Sequence, residues 1–227
     1  MKVAILQSSY IPWKGVFDLA HRVDRFVWLD DVQYTRQDWR NRNRIKTPQG
    51  TRWLTIPCDG SVNKRLDEVS ISDRGWSDSH WGAICRSYQE SPHFDWCAPV
   101  LEHLYASATD PSLHRTTRRF VERIAVELLG IDVEFDDSIR YPSEGRAQER
   151  LLDILEPLGA TTYVSGPAAK SYIEESEFAR RDIDLQWMDY EKYPEYPQTH
   201  GPFDHHVSII DLLACVGPMA PEYIWNR

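Results

Sequence analysis

The sequence predicts an α/β fold: a mostly parallel sheet flanked by helices, giving a Rossmann-like three-layer core, with an additional helical segment mid-chain. Three observations predict it. Wholly apolar short runs at 3–6 and 26–29 read as strands buried on both faces, as in parallel sheets. Strand-like and helix-like runs alternate at both ends of the chain, as βαβ units require. Between them, about 76–129 carries only helical patterning. With 227 residues and no repeat, linker or low-complexity tract, one domain over 1–227 is expected.

The elements follow in order. Residues 3–6 form a strand, 7–12 a loop, and 15–23 a helix with Phe17, Leu19 and Val23 inward. A second strand at 26–29 stops at Asp30 and Asp31, and a polar loop runs over 32–43. Short strands are expected at 53–56 and 69–71, with turn residues at Asp59, Gly60 and 73–75. Helices follow at 76–88 and 94–105. A longer one spans 111–129, capped by Asp110, opened by Pro111 and stopped by Gly130. Residues 131–135 return as a strand. A helix at 146–158 turns Leu151, Leu152, Ile154, Leu155 and Leu158 inward. The strand 161–164 passes through Ser165, Gly166 and Pro167 into another helix, and the strand 183–188 and helix 207–216 close the chain. Pro194, Pro197 and Pro202 keep 190–203 out of helix.

Composition excludes several classes. A net charge of −9 argues against wholesale binding of nucleic acid or anionic membranes. Four Cys with no C-x-x-C exclude a zinc ribbon and suit a reducing compartment, so a cytoplasmic location is expected. The first residues lack the apolar core of an export signal, and no apolar run approaches ~20 residues. There is no Walker loop, nucleophile elbow or H-E-x-x-H; His205 and His206, though near His200 and Asp204, are adjacent and point apart. No cofactor and no metal are therefore expected. Cys58 has no neighbouring His and reads as an inert thiol.

Three strands end in polar residues: Gln7 after 3–6, Asp30 and Asp31 after 26–29, Ser165 and Gly166 after 161–164. In a parallel sheet these share the ligand-binding edge. A helix opening at Pro167 would aim free N–H groups at an anion there, with Lys170 one turn on. The segment 36–52 is the strongest local anomaly. Arg36, Arg40, Arg42, Arg44, Lys46 and Arg52 face one acid, Asp38, a net +5 in an acidic chain. Arginine matches phosphate oxygens bidentately, and in an extended chain Arg40, Arg42 and Arg44 would share a face. The alternatives are pairing with the surplus acids and contact with RNA, for which Trp39 would stack. Tyr190, Tyr193, Tyr196 and Phe203 could form a stacking wall on the Pro-stiffened loop. Ser208, Asp211 and Cys215 form a polar stripe on an apolar last helix, facing either solvent or a cavity.

Taken together, QSSYIPWKGVFDLA at 7–20, FVWLDDVQYTRQDWRNRNRIKT at 26–47, WLTIPC at 53–58, YVSGPAAKSYI at 163–173, YPEYPQ at 193–198 and HHVSIIDLLACVGP at 205–218 resemble the WbqC-like protein family. Ser8 and Val16 stand where the family pattern has Pro and Tyr, and Cys58 where it has an apolar residue. The resemblance implies a place among surface-polysaccharide or related tailoring proteins, without a reaction. Residues on motif positions are Gln7, Tyr10, Trp13, Asp30, Asp31, Tyr34, Trp39, Asn41, Arg42, Ser165, Gly166, Lys170, Tyr172, Tyr196, Gln198, Ser208 and Asp211. A looser similarity is to nucleotidyltransferase-like folds, but Trp13 to Val16 replace their His-x-Gly-His.

The reading that unites these features is a group transferase acting on a nucleotide sugar or similar phosphorylated metabolite. Asp30 or Asp31 is the expected base. Arg40, Arg42, Arg44 and the 165–170 turn hold the anion, and Trp13, Tyr34 and Trp39 stack on rings. A non-catalytic ligand-binding or scaffold protein and a tRNA-linked aminoacyl transferase are the alternatives.

Overall fold

A computed structural model describes residues 1–59 and 63–225; Gly60, one of the expected turn residues, lies outside the described residues. The main sheet holds five strands, all parallel. They are β1 (Lys2–Leu6), β2 (Arg25–Trp28), β5 (Glu134–Asp137), β6 (Thr162–Ser165) and β7 (Asp184–Trp187), in the order β5-β2-β1-β6-β7. The apolar runs are two-sided, as parallel strands require. Ala4, Phe26 and Trp28 join the core beneath α1 (Lys14–His21), α2 (Trp76–Tyr88), α3 (Phe94–Ala106), α4 (Leu113–Arg123) and α7 (Ile209–Val216). Val3, Ile5, Val27 and Tyr163 face the opposite layer. There α5 (Gln148–Leu155) supplies Leu151, Leu152, Ile154 and Leu155, and α6 (Glu175–Ala179) supplies Phe178. This is the three-layer α/β arrangement that the alternation of strands and helices implies.

Four local expectations are corrected. The Arg-rich segment is not all loop. Arg42–Thr47 and Gly50–Thr55 form an antiparallel hairpin, β3 and β4, apart from the main sheet. It turns at Gly50, whose φ of +113° suits a residue without Cβ. Residues 69–71 make only isolated bridges, from Ile71 to Cys58 and from Ser70 to Ser112. The long central helix starts later than expected, because Ser112 is its cap and accepts from the Arg115 N–H. Asp110 instead accepts from the Ser112 N–H and pairs with Arg115. The helix after β6 is one 3₁₀ turn, Pro167–Ser171, too short to build a useful dipole.

Tyr10 leaves the loop after β1 and enters the helical layer. Its hydroxyl lies 2.8 Å from His80 Nδ1 and 2.6 Å from the Tyr105 hydroxyl, with Trp76 and Phe120 against the ring. Burial pushes the His80 pKa down from 6.5 to about 4, so the imidazole is neutral. Its contribution to stability is complete above 6.5 and is lost as pH falls from there toward 4, because the unfolded chain takes up the proton first. The loss should reach about 3 kcal/mol from this group. Urea unfolding at steps across that range should show the decline, and His80→Gln should flatten it. An identical profile in the variant would refute the assignment.

Candidate functional site

From β1 the chain passes to β2 on one side, and β6 flanks β1 on the other. The order therefore reverses at the end of β1, where open α/β sheets bind ligands. A cavity of about 430 Å³ lies there, bounded by Leu6, Trp13, Trp39, Arg40, Gly166 and Tyr190. It is largely aromatic and aliphatic, with Ser9, Arg40, Asn43 and His206 among its polar lining. A second, larger cavity of about 770 Å³ opens beyond β2 and includes Asp31 and Tyr172.

The loop after β1 is held in an unusual conformation. Ile11 is fully buried with φ +35°, costly for a β-branched residue. Asn43 of β3 offsets this by donating through Nδ2 to the carbonyls of Tyr10 (3.2 Å) and Ile11 (3.0 Å). The Tyr10 N–H bonds the Trp39 carbonyl at 3.0 Å, and the Ile209 N–H bonds the Pro12 carbonyl at 2.9 Å. Trp13 then folds back over the start of α1. A Cβ on Gly15 would sit 2.4 Å from its ring, so only glycine admits the indole here. Tyr190 and Tyr193 meet that indole edge-on at 5.1 and 5.7 Å, and the His206 ring stacks on it at 5.9 Å.

Asp30 is fully buried at the rim. Its Oδ1 accepts from the Ser8 N–H at 2.8 Å and its Oδ2 from Arg118 Nε at 2.6 Å. Arg118 reaches on to Asp137 at the end of β5. Asp31 accepts from Ser138 Oγ at 2.6 Å and from Arg150 Nη2 at 2.7 Å. Both acids expected as bases are thus paired with guanidinium groups, which for the buried Asp30 offsets the cost of taking its charge out of water. Through these partners they tie the rim to α4, β5 and α5.

The cationic segment divides its work. Arg40 Nη1 donates to the carbonyls of Gln7 (3.1 Å) and Ser8 (3.2 Å) and to Ser9 Oγ (2.8 Å), while Nη2 takes part in none of these bonds. Its Nε is 3.8 Å from Asp38, and burial lowers its pKa from the ordinary value. Arg42 and Arg44 do share a face, but that face is stacked on Trp53, at 4.4 and 5.6 Å from the ring centre. Arg44 Nη2 also donates to the His206 carbonyl at 2.9 Å and lies 3.6 Å from Asp204.

The Pro-rich segment is fixed by a buried polar chain. Lys46 Nζ donates to Gln198 Oε1 at 2.8 Å, and Gln198 Nε2 donates to the Tyr196 hydroxyl at 3.1 Å. Asp211 accepts from Tyr196 (2.8 Å) and Tyr88 (3.0 Å), and burial raises its pKa. Tyr193 donates to Asp18 at 2.7 Å, and Lys14 donates to the Pro194 carbonyl at 3.1 Å. This chain sets Tyr190 and His206 at the cavity. His206 Nδ1 stands 3.6 Å from Asp204 Oδ1, and the His206 N–H bonds the same oxygen at 2.8 Å.

Of the expected site residues, Gln7 (through its carbonyl), Trp13, Trp39, Arg40 and Gly166 come together at the β1–β6 cavity. Others stand apart from it. Tyr10 is in the helical core. Tyr196, Gln198 and Asp211 form the polar chain, and Ser208 caps α7 through Oγ. The α7 stripe therefore faces neither solvent nor a ligand cavity. Tyr34 and Asn41 surround Cys58, with Nδ2 of Asn41 3.5 Å and the Tyr34 hydroxyl 3.4 Å from its Sγ. Lys170 is exposed over Trp187 at 5.4 Å, and Ser165 is buried at the end of β6. Tyr190, expected in a stacking wall, does line the cavity, whereas sequence reasoning missed Asn43 and His206 as cavity residues. The Asp204-x-His206 spacing was the available signal for the last.

A family model described as "WbqC-like protein family" matches residues 7–223. The chain belongs to the WbqC-like family. A relative is 42% identical over 229 residues, covering 98% of this chain and 97% of the relative. It comes from Mycobacterium tuberculosis (strain ATCC 25618 / H37Rv) and is named "Uncharacterized protein Rv1507c". No solved structure matches this WbqC-like chain.

Removing the Asp211 carboxylate should loosen the wall of this site. Asp211→Ala strands two buried hydroxyls, each costing about 1–3 kcal/mol. Urea unfolding should show that loss, Tyr196→Phe should show a smaller one, and limited proteolysis of Asp211→Ala should cut faster within 190–206. Wild-type stability and cleavage would remove the polar chain from the account.

Proposed function

We propose that this WbqC-like protein is a group transferase acting on an activated, phosphorylated small metabolite, of the nucleotide-sugar kind, in surface-polysaccharide or related tailoring biosynthesis. One observation carries the reading: a single guanidinium, Arg40, anchored through Nη1 in a mainly aromatic and aliphatic cavity at the strand-order reversal. A flat ring can lie among Trp13, Trp39 and Tyr190, with the anionic group against Arg40. Burial pushes the Tyr190 pKa up to about 12, so its phenol stays a donor.

His206 takes the role of base in place of Asp30 and Asp31. It lies at the cavity with Asp204 beside Nδ1, the base-and-orienter pattern of acid–base catalysis. An acceptor hydroxyl or amine would lose its proton to this imidazole as it bonds to the transferred group. The departing phosphate oxygen would carry its charge against Arg40. The relative's name gives no activity, so the class of group rests on cavity chemistry alone.

The tRNA-linked alternative has one feature in its favour. Trp39 and Trp53 are 41% and 44% exposed, 5.4 Å apart, with Arg42 over Trp53. Such a face can stack bases. Binding to tRNA that weakens steeply with salt would favour it over a free metabolite.

The direct test is a panel of nucleotide sugars and acyl donors with amine and hydroxyl acceptors. His206→Gln should lower turnover about 10²–10⁴-fold while donor binding persists. Arg40→Met should abolish donor binding. Full turnover in both variants would overturn the proposal.

A further inference from the structure

The larger cavity has no part in the transferase reading, yet it has the chemistry of a binding site. Its volume of about 770 Å³ falls in the range of small-molecule sites, roughly 300–1,000 Å³. It lies at the carboxyl end of β2, between the loop bearing Lys64 and Arg65 and the segment leading into α5. Lys64, Arg65, Arg146 and Arg150 line it, and Asp31 is the one carboxylate among its described lining residues. In a chain of net charge −9, four cations against one carboxylate give the lining itself a net charge of +3.

These cations are not equivalent. Arg150 is buried and fully committed. Its Nη2 bonds Asp31 Oδ2 (2.7 Å) and the Ser138 carbonyl (2.9 Å), and its Nη1 bonds the Tyr141 carbonyl (2.5 Å). It is a fixed floor. Lys64 and Arg65 pair with Asp59 and Asp67, which lie outside the lining, and their side chains are 36% and 50% exposed. Exposed pairs of this kind contribute about 0–1 kcal/mol, so a multiply charged ligand can replace the carboxylates. Arg146 is exposed and forms no ion pair among the described residues. A Cβ on Gly145 would meet Asp153 Oδ2 at 2.7 Å and Glu149 Cβ at 2.9 Å, so the backbone beside Arg146 is packed closely against α5. Half-exposed Tyr172 adds one aromatic face.

We infer that this cavity binds a phosphate-bearing polyanion, a diphosphate or sugar phosphate, through Arg146, Arg65 and Lys64 above the Arg150–Asp31 floor. Guanidinium forks on facing walls suit phosphate oxygens and give a neutral ligand little to replace. The site is separate from the β1–β6 cavity. It stands or falls with Arg146 and Lys64, whereas the transferase reading stands or falls with Arg40 and His206.

The test is titration calorimetry of the full chain with inorganic pyrophosphate. Saturable binding is expected in the wild type and is retained in Arg40→Met, which removes the anion contact of the β1–β6 cavity; in that background Arg146→Glu and the Lys64→Gln, Arg65→Gln pair each weaken it tenfold or more. If thermal melts show Arg146→Glu misfolded, Arg146→Gln is read in its place. Glucose 1-phosphate and ADP, run as competitors, separate a sugar phosphate from a nucleotide as the natural source. Displacement by either supports the site. No saturable binding, binding that survives both cation variants, binding lost in Arg40→Met, or displacement by neither competitor overturns it.

Discussion

The rim of this sheet is built on the carboxylate of Asp30. It is fully buried, and a buried charge persists only where donors surround it. Here the donors are the Ser8 N–H and Arg118. The first fixes the loop after β1 against the end of β2. The second ties α4 to the same point and, through Asp137, to β5. With the Arg40 and Asn43 bonds to its carbonyls, that charge ties the loop carrying Trp13, and with it the wall of the β1–β6 cavity, to the strands. Asp31 repeats the device one residue later with Arg150, under the second cavity.

The cationic ribbon looks uniform in composition and is not uniform in use. Arg40 enters the cavity because its donors meet the loop carbonyls left free where β1 ends. Arg42 and Arg44 begin a strand, so their side chains alternate with buried Asn43 and Ile45 and lie on Trp53. Arg44 also donates through Nη2 to the carbonyl of His206. Of the three, Arg40 lines the β1–β6 cavity, whose other lining residues are mostly rings and aliphatic carbons.

Much of the fold was legible because local chemistry and tertiary context agree. Continuous apolar runs at 3–6 and 26–29 can only be buried strands, and Gly130 and Gly159 stop helices with φ of +62° and +65°. The hairpin strand β3 was not legible, since RNRIKT has one apolar residue and its partner is fixed by pairing with β4. Nor was the chain from Lys46 through Gln198 and Tyr196 to Asp211, which joins residues up to 165 apart in sequence. Strand-end position alone brought Gln7, Asp30 and Gly166 to one edge. It could not tell a catalytic carboxylate from one neutralised by Arg118, a residue 88 positions away on a helix.

Asp30→Asn separates these roles most directly. The amide can still accept from Ser8 but presents an N–H to Arg118, so unfolding free energy should fall by roughly 3–5 kcal/mol, the cost of breaking a buried pair. Under conditions where the variant remains folded, the pH profile of any turnover should keep its wild-type shape. Wild-type stability combined with abolished turnover would make Asp30 the base and contradict its role as the anchor of the rim.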